Sequence, residues 1–266
     1  MSSTALFVGA GVIENGWNPI IKALQPDYFK KQLSTQAANA QLARAVYLLR
    51  WQASISKDPN DETLKIYKKY LQDVRQALCH EIRLAQENNQ LFVRKEFNHV
   101  IEKLVLPNCI RFMLVSTNWD TVVDEAILQV PGIKNAFGEW DIITHHIHGS
   151  YLDPNTLYLP TEVTRELYRT AEEDQKIGNL HGSLMRGLSE AEKVVIYGLS
   201  VSPMDAELFQ TLGAGLDNQI LRSIIIVDPD HENIAERINL LLRYPTKVSV
   251  TGIDPRDLDN FFNHSM

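Results

Sequence analysis

Five short apolar runs, separated by longer stretches, constrain the fold of this 266-residue chain more than any other feature. The first run, ALFV, is continuously apolar, which is typical of a strand that is buried on both faces of a parallel sheet. The stretches 121–129 and 231–242 between the runs have helical spacing. This alternation predicts an α/β fold, Rossmann-like, with a mainly parallel sheet and helices on both faces. The five runs are ALFV (5–8), RFMLVST (111–117), KVVIYGLS (193–200), SIIIVDPD (223–230) and KVSVTGI (247–253).

The middle third of the chain has a different pattern. Two apolar stripes at helical spacing start near Leu42 and Leu64. A proline and several polar turn residues separate them. We therefore predict a helical module over residues 34–106, inserted into a main domain that is formed by residues 1–33 and 107–266.

The carboxyl ends of the predicted strands are rich in glycine, hydroxyl, amide and carboxylate groups. In open parallel sheets, ligands bind beyond these ends, near the point where the strand order reverses. We therefore expect the ligand site there. The residues at four of the ends are Gly9, Ala10 and Gly11; Thr117, Asn118, Trp119 and Asp120; Gly198, Leu199 and Ser200; and Asp228, Pro229 and Asp230.

The glycine turn after the first strand has two interpretations. Gly9 and Gly11 would let a pyrophosphate approach the backbone, but they are equally typical of a tight turn after a buried strand. Glu14 occupies the third glycine position of the ordinary dinucleotide motif, which argues against a plain Rossmann dehydrogenase. The other strand ends must decide between the two interpretations.

The polar residues at those ends also have two interpretations each. Asn118 and Asp120 could hold a ribose hydroxyl or position a water, or they could cap the following helix. Ser200 could donate to a phosphate or ribose oxygen, while Asp205 could bind a hydroxyl or cap a helix. Asp228 could accept hydrogen bonds from a ribose or an adenine amino group, or it could be a turn residue before a proline.

The chain contains two His-Gly-Ser motifs. In THHIHGS (144–150), His146 and His148 would share one face of an extended segment, but no nearby cysteine or carboxylate completes a metal site. A glycine and a serine follow His148, and its imidazole is a candidate general base. We interpret the second motif, at His181, as the entry to a helix. The sequence leaves open which of His148 and His181 faces a ligand.

Charge and cysteine content disfavour several classes of function. The net charge of −7 argues against a phosphate-neutralising groove, so no direct nucleic-acid binding is expected. Cys79 and Cys109 are too few for a four-thiolate zinc site or a disulfide framework. No apolar run approaches the roughly 18 residues of a membrane span. We expect a cytoplasmic protein that does not associate with membranes.

Four motifs, taken in order, resemble the sirtuin superfamily. They are GAG at 9–11, STNWDT at 116–121, HIHGS at 146–150 and IYGLSVSPMD at 196–205. The match is closer to the bacterial sirtuin-like domains of anti-phage defence systems, and it covers nearly the whole chain outside the helical module. The resemblance implies an NAD-binding site in the main domain.

The resemblance also implies a role for each strand end. Asn118 would orient the nicotinamide ribose or the attacking water, His148 would be the catalytic base, and Asp120 would support their geometry. The glycine turn would contact the phosphates, and the later ends would line the adenosine side. The implied NAD-binding residues are Gly9, Ala10, Gly11, Thr117, Gly198, Ser200 and Asp228.

Departures from sirtuin deacylases narrow the expected reaction. The chain has no paired C-x-x-C motifs, so no zinc is expected; Ile13 stands where the family has a serine, and the loop GWNPII (16–21) lacks the family's Asp-Phe-Arg. These differences favour an NAD+ glycohydrolase, which takes NAD+ as its substrate and cleaves the nicotinamide–ribose bond. A catalytically silent NAD or ADP-ribose sensor is the alternative, and an NAD-dependent protein deacylase ranks third.

Uncontrolled hydrolysis of NAD+ would harm the host cell. We therefore expect the activity to be gated by a homo-oligomer or by a defence-system partner, such as an ATPase or an Argonaute-like protein. The helical module at 34–106 is the expected contact surface.

Overall fold

The computed structural model describes residues 2–25, 31–56, 58, 60–137, 142–202 and 204–264. In chain order, the strands are β1 Ser2–Val8, β2 Ile13–Glu14, β3 Phe92–Val93, β4 Cys109–Ser116, β5 Thr144–His146, β6 Lys193–Tyr197, β7 Ser223–Val227 and β8 Ser249–Ile253. The α-helices are α1 Asn18–Leu24, α2 Thr35–Ile55, α3 Glu62–Glu87, α4 Phe97–Val100, α5 Val122–Gln129, α6 Ile133–Phe137, α7 Ala171–Ser189, α8 Ala206–Leu216, α9 His231–Asn239 and α10 Leu258–His264.

Six strands form one sheet in the order β5-β4-β1-β6-β7-β8, and every neighbouring pair in it is parallel. Numbered along the chain, these strands read 3-2-1-4-5-6, which is the doubly wound order of a Rossmann-like sheet. The predicted α/β fold is therefore confirmed. The strand order reverses between β1 and β6, so the carboxyl ends of these two strands flank a crevice. The short strands β2 and β3 form a separate antiparallel pair.

The five predicted strands are present as β1, β4, β6, β7 and β8. The sixth sheet strand, β5, was not predicted because it has only three residues, Thr144–His146, and two of them are histidines. The interpretation of His181 as a helix-entry residue is wrong, since His181 lies inside α7, which begins ten residues earlier at Ala171. Thr170 sets that start with a capping box that includes Glu173.

Two apolar cores cover the two faces of the sheet. Along β1, Leu6 and Val8 belong to one core and Ala5 and Phe7 to the other, because alternate side chains point to opposite faces. Helices α7, α8 and α9 pack on the second core.

The predicted helices of the middle third pack on the first core. The buried faces of α2 and α3 join the same apolar cluster as Leu6 and Val8. Ser34 and Asp61 cap the two helices through hydrogen bonds from backbone N–H groups of their first turns. The division into a main domain and an inserted module stays a prediction, and the two parts share one core.

Among the described residues, none of the helices combines the length and the apolar composition that a bilayer crossing requires.

Candidate functional site

A pocket of about 340 Å³ lies beyond the carboxyl ends of β1, β4, β6 and β7, at the reversal of strand order. Its volume falls in the range of roughly 300–1,000 Å³ that is typical of small-molecule sites. Nine of the ten residues that the sequence predicts for the site line this pocket, and Gly9 lies directly behind them. The nine are Ala10, Gly11, Thr117, Asn118, Asp120, His148, Gly198, Ser200 and Asp228.

Gly11 and Gly198 line the pocket, and Gly9 lies behind them, where the turns after β1 and β6 cross at close range. A Cβ on Gly9 would lie 2.6 Å from the Gly198 carbonyl oxygen, and one on Gly11 would lie 2.8 Å from Gly198 Cα. Gly198 itself has a φ of +61°, a conformation that side-chain-bearing residues rarely adopt. Close packing of two backbones therefore explains why these positions are glycine.

The N–H groups of the glycine turn are already used inside the protein. Gly9 N donates to the Tyr197 carbonyl at 3.1 Å, and Gly11 N donates to the Gly198 carbonyl at 2.8 Å. The turn continues into the single 3-10 turn Ala10–Val12 instead of a long helix. Contact between the glycine turn and phosphates stays a prediction. The N–H groups of Gly9 and Gly11 are not available to bind a phosphate.

The loop after β6, in contrast to the glycine turn after β1, has backbone N–H groups without an acceptor in the part of the chain that the structure describes. Within the described residues, no acceptor is present for the backbone N–H groups of residues 199–202. Val201 has a φ of +46°, an uncommon conformation for a β-branched residue and one that clusters at ligand-binding turns. Consecutive unpaired N–H groups in a turn of this kind form a favourable site for an anion.

Asn118 is buried at the carboxyl end of β4. Its side-chain Nδ2 donates to the Gly9 carbonyl at 3.2 Å, and its backbone N donates to Ser116 Oγ at 3.1 Å. These bonds tie the end of β4 to the glycine turn of β1. The amide oxygen of Asn118 has no hydrogen-bond partner among the described residues, and Asn118 lines the pocket.

Asp120 lies two residues further on and is also buried. Its Oδ1 accepts a hydrogen bond from Val122 N at 3.1 Å, a turn contact at the start of α5, whose N-cap residue is Thr121 and not Asp120. Burial raises the pKa of Asp120 to about 6. A carboxyl group that lines a pocket and titrates near neutral pH is also suited to proton transfer.

His148 faces the pocket, held between a carboxylate and an aromatic ring. Its Nε2 lies 3.0 Å from Asp205 Oδ2, and its ring stacks on Tyr158 with the centroids 5.4 Å apart. Burial lowers the pKa of His148, but Asp205 first, together with the Thr117 backbone and the charge of Glu162, raises it, so the pKa lies above its ordinary value. Asp205 also caps α8 by accepting from Leu208 N at 3.2 Å.

The other two histidines of interest lie outside the lining of the pocket. His146 bridges the Asn118 carbonyl and the Asp124 carboxylate at 3.2 and 3.1 Å, so it braces the end of β4 against α5. His181 is buried in α7 and contacts Thr211 Oγ1 at 3.0 Å. The structure therefore brings His148, and not His181, to the pocket.

The remaining predicted residues lie at the rim. Thr117 donates from its backbone to the Val8 carbonyl at 3.0 Å, and Ser200 is exposed. Asp228 accepts from Asp230 N at 2.8 Å, as the turn interpretation requires, and it also lines the pocket. Burial raises the pKa of Asp228.

The opposite wall of the pocket was missed by sequence reasoning. It is largely apolar, and it is built from α1, α2, α3 and the loop that precedes α7. The helices that were predicted as a separate module thus form part of the site. The residues of this wall include Trp17, Ile20, Asn39, Ile82, Leu91, Tyr158, Leu159 and Pro160.

Two buried glutamates hold the loop of residues 157–170, which we call the wall loop. Glu162 pairs with Arg75 of α3 at 2.6 Å and with Arg169 at 2.7 Å, and it accepts from Leu159 N at 2.6 Å. Glu166 pairs with Arg50 of α2. Within the wall loop, glutamates three or four residues from an arginine look like ordinary surface charges, so the sequence carries little signal for this network.

The charged residues that line the pocket are mainly acidic. Asp120, Asp205 and Asp228 line the pocket together with His148, and none of the described lining residues is a lysine or an arginine. Two arginines bind the outer side of its loops: Arg94 Nε donates to the Gly11 carbonyl at 2.7 Å, and Arg237 Nη2 donates to the Ser200 carbonyl at 2.9 Å. The interior therefore favours a ligand that carries positive charge, while cations lie just outside the glycine and serine turns.

Among the described residues, no group of three or more histidine, cysteine or carboxylate side chains is arranged to hold a metal ion. No protein-family model matches the chain, and no curated protein matches its sequence. The chemistry of the site must therefore be argued from its own residues.

Proposed function

We propose that this pocket binds NAD+ and hydrolyses its nicotinamide–ribose bond. The observation that carries the proposal is the meeting, in one pocket, of a held asparagine, a buried carboxyl group and a carboxylate-paired histidine beside the crossing of two glycine turns. The first three are groups that ribose chemistry requires. The crossing turns allow close approach of a diphosphate to the backbone, and the loop at 199–202 offers to it N–H groups that are unpaired among the described residues.

The dimensions of the crevice suit an extended dinucleotide. Neighbouring strands lie about 4.8 Å apart, so the three steps from β4 to β7 separate Asn118 from Asp228 by roughly 14 Å. A diphosphate near Gly198 would stand between the two ends. One nucleoside would then reach Asn118 and His148, and the other would reach Asp228.

The charge of the pocket suits the oxidised form of the cofactor. The nicotinamide ring of NAD+ is cationic, and positive charge passes to the ribose as the glycosidic bond breaks. Asp205 lies 3.0 Å from His148, and Asp120 lines the pocket two residues after Asn118, so both carboxylates would stabilise this charge. The apolar wall beside them would exclude water from all but the reacting face of the ribose.

The reaction needs one water and moves one proton. The water oxygen bonds to C1′ of the ribose as the C1′–N bond breaks, and nicotinamide leaves as a neutral molecule with the electron pair. Neutral His148, with its Nε2–H directed at Asp205, accepts at Nδ1 the proton that the water loses, and the products are nicotinamide and ADP-ribose. Asn118 orients the ribose or the water through its amide oxygen.

The first test is release of nicotinamide by His148→Ala and Asn118→Ala. Loss of a general base typically costs about 10² to 10⁴ in rate, so we expect losses of that order in His148→Ala. His80→Ala and Asn98→Ala change the same residue types at exposed positions and should match the wild type. Undiminished release by both site variants, with intact circular dichroism, would refute the assignment.

A second candidate function is a catalytically silent sensor of NAD or ADP-ribose. It is favoured because the side chains of Asn118 and His148 already have partners within the protein. Asn118 Nδ2 donates to the Gly9 carbonyl, and His148 Nε2 faces the Asp205 carboxylate. A sensor would bind NAD+ without release of nicotinamide at any protein concentration. Calorimetry and the release assay on the same sample separate the two functions.

We propose in addition that assembly gates the activity. The exposed side chains of Tyr47, Trp51 and Ile55 recur every fourth residue along α2 and support a contact surface on the helical module. Turnover per chain should then rise with protein concentration or on addition of a partner protein. Full turnover by an isolated monomer would contradict gating.

A further inference from the structure

We propose that Arg50, on α2, is a positioning residue for the pocket. It fixes the segment Tyr158–Pro160 of the wall loop, and through that segment it fixes the aromatic ring that stacks on His148. The structural part of this inference stands without the proposed function, whereas its kinetic consequence rests on it.

Arg50 makes three hydrogen bonds to the wall loop. Its Nε donates to Glu166 Oε2 at 3.0 Å, one Nη2 hydrogen bond reaches Glu166 Oε1, and a second reaches the Thr161 carbonyl at 2.6 Å. The Glu166 side chain is almost completely buried, and its Oε1 also accepts from Val163 N at 3.0 Å. One guanidinium therefore ties both a side chain and a backbone carbonyl of the wall loop to α2.

Thr161 is the point at which the wall loop needs this support. Its φ is +71°, in the left-handed region, which a β-branched residue rarely adopts unless its surroundings hold it there. Its N–H donates to the Met204 carbonyl at 3.1 Å, and its own carbonyl is the acceptor for Arg50. The pocket-lining residues 158–160 directly precede this turn, so their position depends on it.

The position of this segment matters to His148. The rings of Tyr158 and His148 are nearly parallel, at 10°, and Tyr158 N donates to the His148 carbonyl at 2.9 Å. A shift of the segment would therefore move the ring against the imidazole and open the apolar wall. Arg50 itself does not line the pocket, so it acts through the wall loop.

Arginine is specifically suited to this position. Its planar fork meets both oxygens of Glu166 while a further N–H reaches Thr161, whereas a lysine supplies one point charge without a fork. A lysine in its place would keep the charge but could not hold both acceptors in the same geometry. We therefore expect Arg50→Lys to recover only part of the function that Arg50→Ala loses.

The kinetic consequence follows from the fraction of molecules with an ordered wall loop. If loss of Arg50 lowers that fraction to about one tenth, the apparent affinity falls about tenfold, because ligand must select the ordered form. At saturation the ligand restores the ordered form. KM for NAD+ should therefore rise about tenfold, while kcat changes much less.

Hydrogen exchange of the ligand-free protein tests the positioning role without any assumption about NAD+. In Arg50→Ala, exchange at residues 158–163 should be at least tenfold faster than in the wild type, with an intermediate rate in Arg50→Lys. Arg44→Ala removes an exposed arginine from the same helix and is the matched control.

Unchanged exchange at 158–163 in folded Arg50→Ala would overturn the proposal. If exchange rises but NAD+ neither binds nor is cleaved by the wild type, the proposed function fails while the positioning role stands. If exchange rises and kcat falls with KM unchanged, Arg50 does not act through the ordered fraction and the proposal is wrong in its kinetic part.

Discussion

The two walls of the pocket are built in different ways. The strand-end wall carries the polar groups, and hydrogen bonds between neighbouring strand ends hold them, such as Asn118 Nδ2 to the Gly9 carbonyl. The helical wall is largely apolar, and two buried glutamates, Glu162 and Glu166, fix its loop by pairing with arginines of α2 and α3. The strand-end wall therefore provides the polar groups that would contact a ligand, whereas the helical wall provides an apolar surface. The first depends on hydrogen bonds between strand ends, and the second depends on buried ion pairs.

The largest effect on stability is expected at the strand-end wall, for Gly198→Ala. A Cβ there would lie 2.5 Å from Val12 N at a φ of +61°. The cost of a left-handed residue and of overpacking together comes to about 4 kcal/mol in the free energy of unfolding. Urea denaturation measures it.

Gly182→Ala is the matched control for that variant. A Cβ on Gly182 would meet nothing within 4 Å, and the residue lies inside α7. This change should stabilise the protein by up to about 1 kcal/mol, because alanine favours helix over glycine. Equal effects of the two substitutions would show that the crossing of the glycine turns is not tightly packed.

The next largest loss of stability is expected at the helical wall, in Arg75→Ala. Arg75 pairs with Glu162, whose side chain has no exposed surface. Removal of Arg75 leaves the buried charge of Glu162 with Arg169 as its one remaining ion-pair partner among the described residues, and we expect a loss of about 3 kcal/mol in the free energy of unfolding. Lys69→Ala breaks the exposed pair with Asp73 and should cost less than about 1 kcal/mol. Similar losses in both variants would contradict a buried clamp.

The smallest expected effect is a shift in the pH dependence of nicotinamide release, in Asp205→Asn. His148 must be neutral to accept a proton, and Asp205 raises its pKa, so the rate should increase as the pH rises through that raised value. Asparagine removes the charge, and the midpoint should move about one pH unit lower. The profile of kcat/KM for nicotinamide release measures this midpoint. Tyr158, Glu162 and His181 also face His148, so an unmoved midpoint would mean that they, and not Asp205, set its pKa.

The strand-end wall was largely predictable from the sequence because its determinants are local. A buried apolar run followed by glycine, asparagine or aspartate marks the end of a parallel strand, and parallel topology brings those ends to one edge. That is why Gly11, Asn118 and Asp228, far apart in the chain, were named together and line one pocket.

The helical wall was not predictable because its determinants are long-range. Arg50 and Glu166 are 116 residues apart, and each looks like a surface charge in its own segment. The pairing of Asp205 with His148 depends likewise on how the start of α8 meets the loop after β5. The choice between His148 and His181 also required the structure, since both are followed by glycine and serine.

Calorimetric titration of the His148→Ala variant, which should leave NAD+ intact during the measurement, tests most directly whether the two walls enclose one dinucleotide site. We predict one NAD+ bound per chain, competition by ADP-ribose, and binding of nicotinamide mononucleotide that is at least tenfold weaker, because it reaches only the Asn118 and His148 end. Equal affinities for the mononucleotide and NAD+, or no binding of NAD+ at all, would contradict the account.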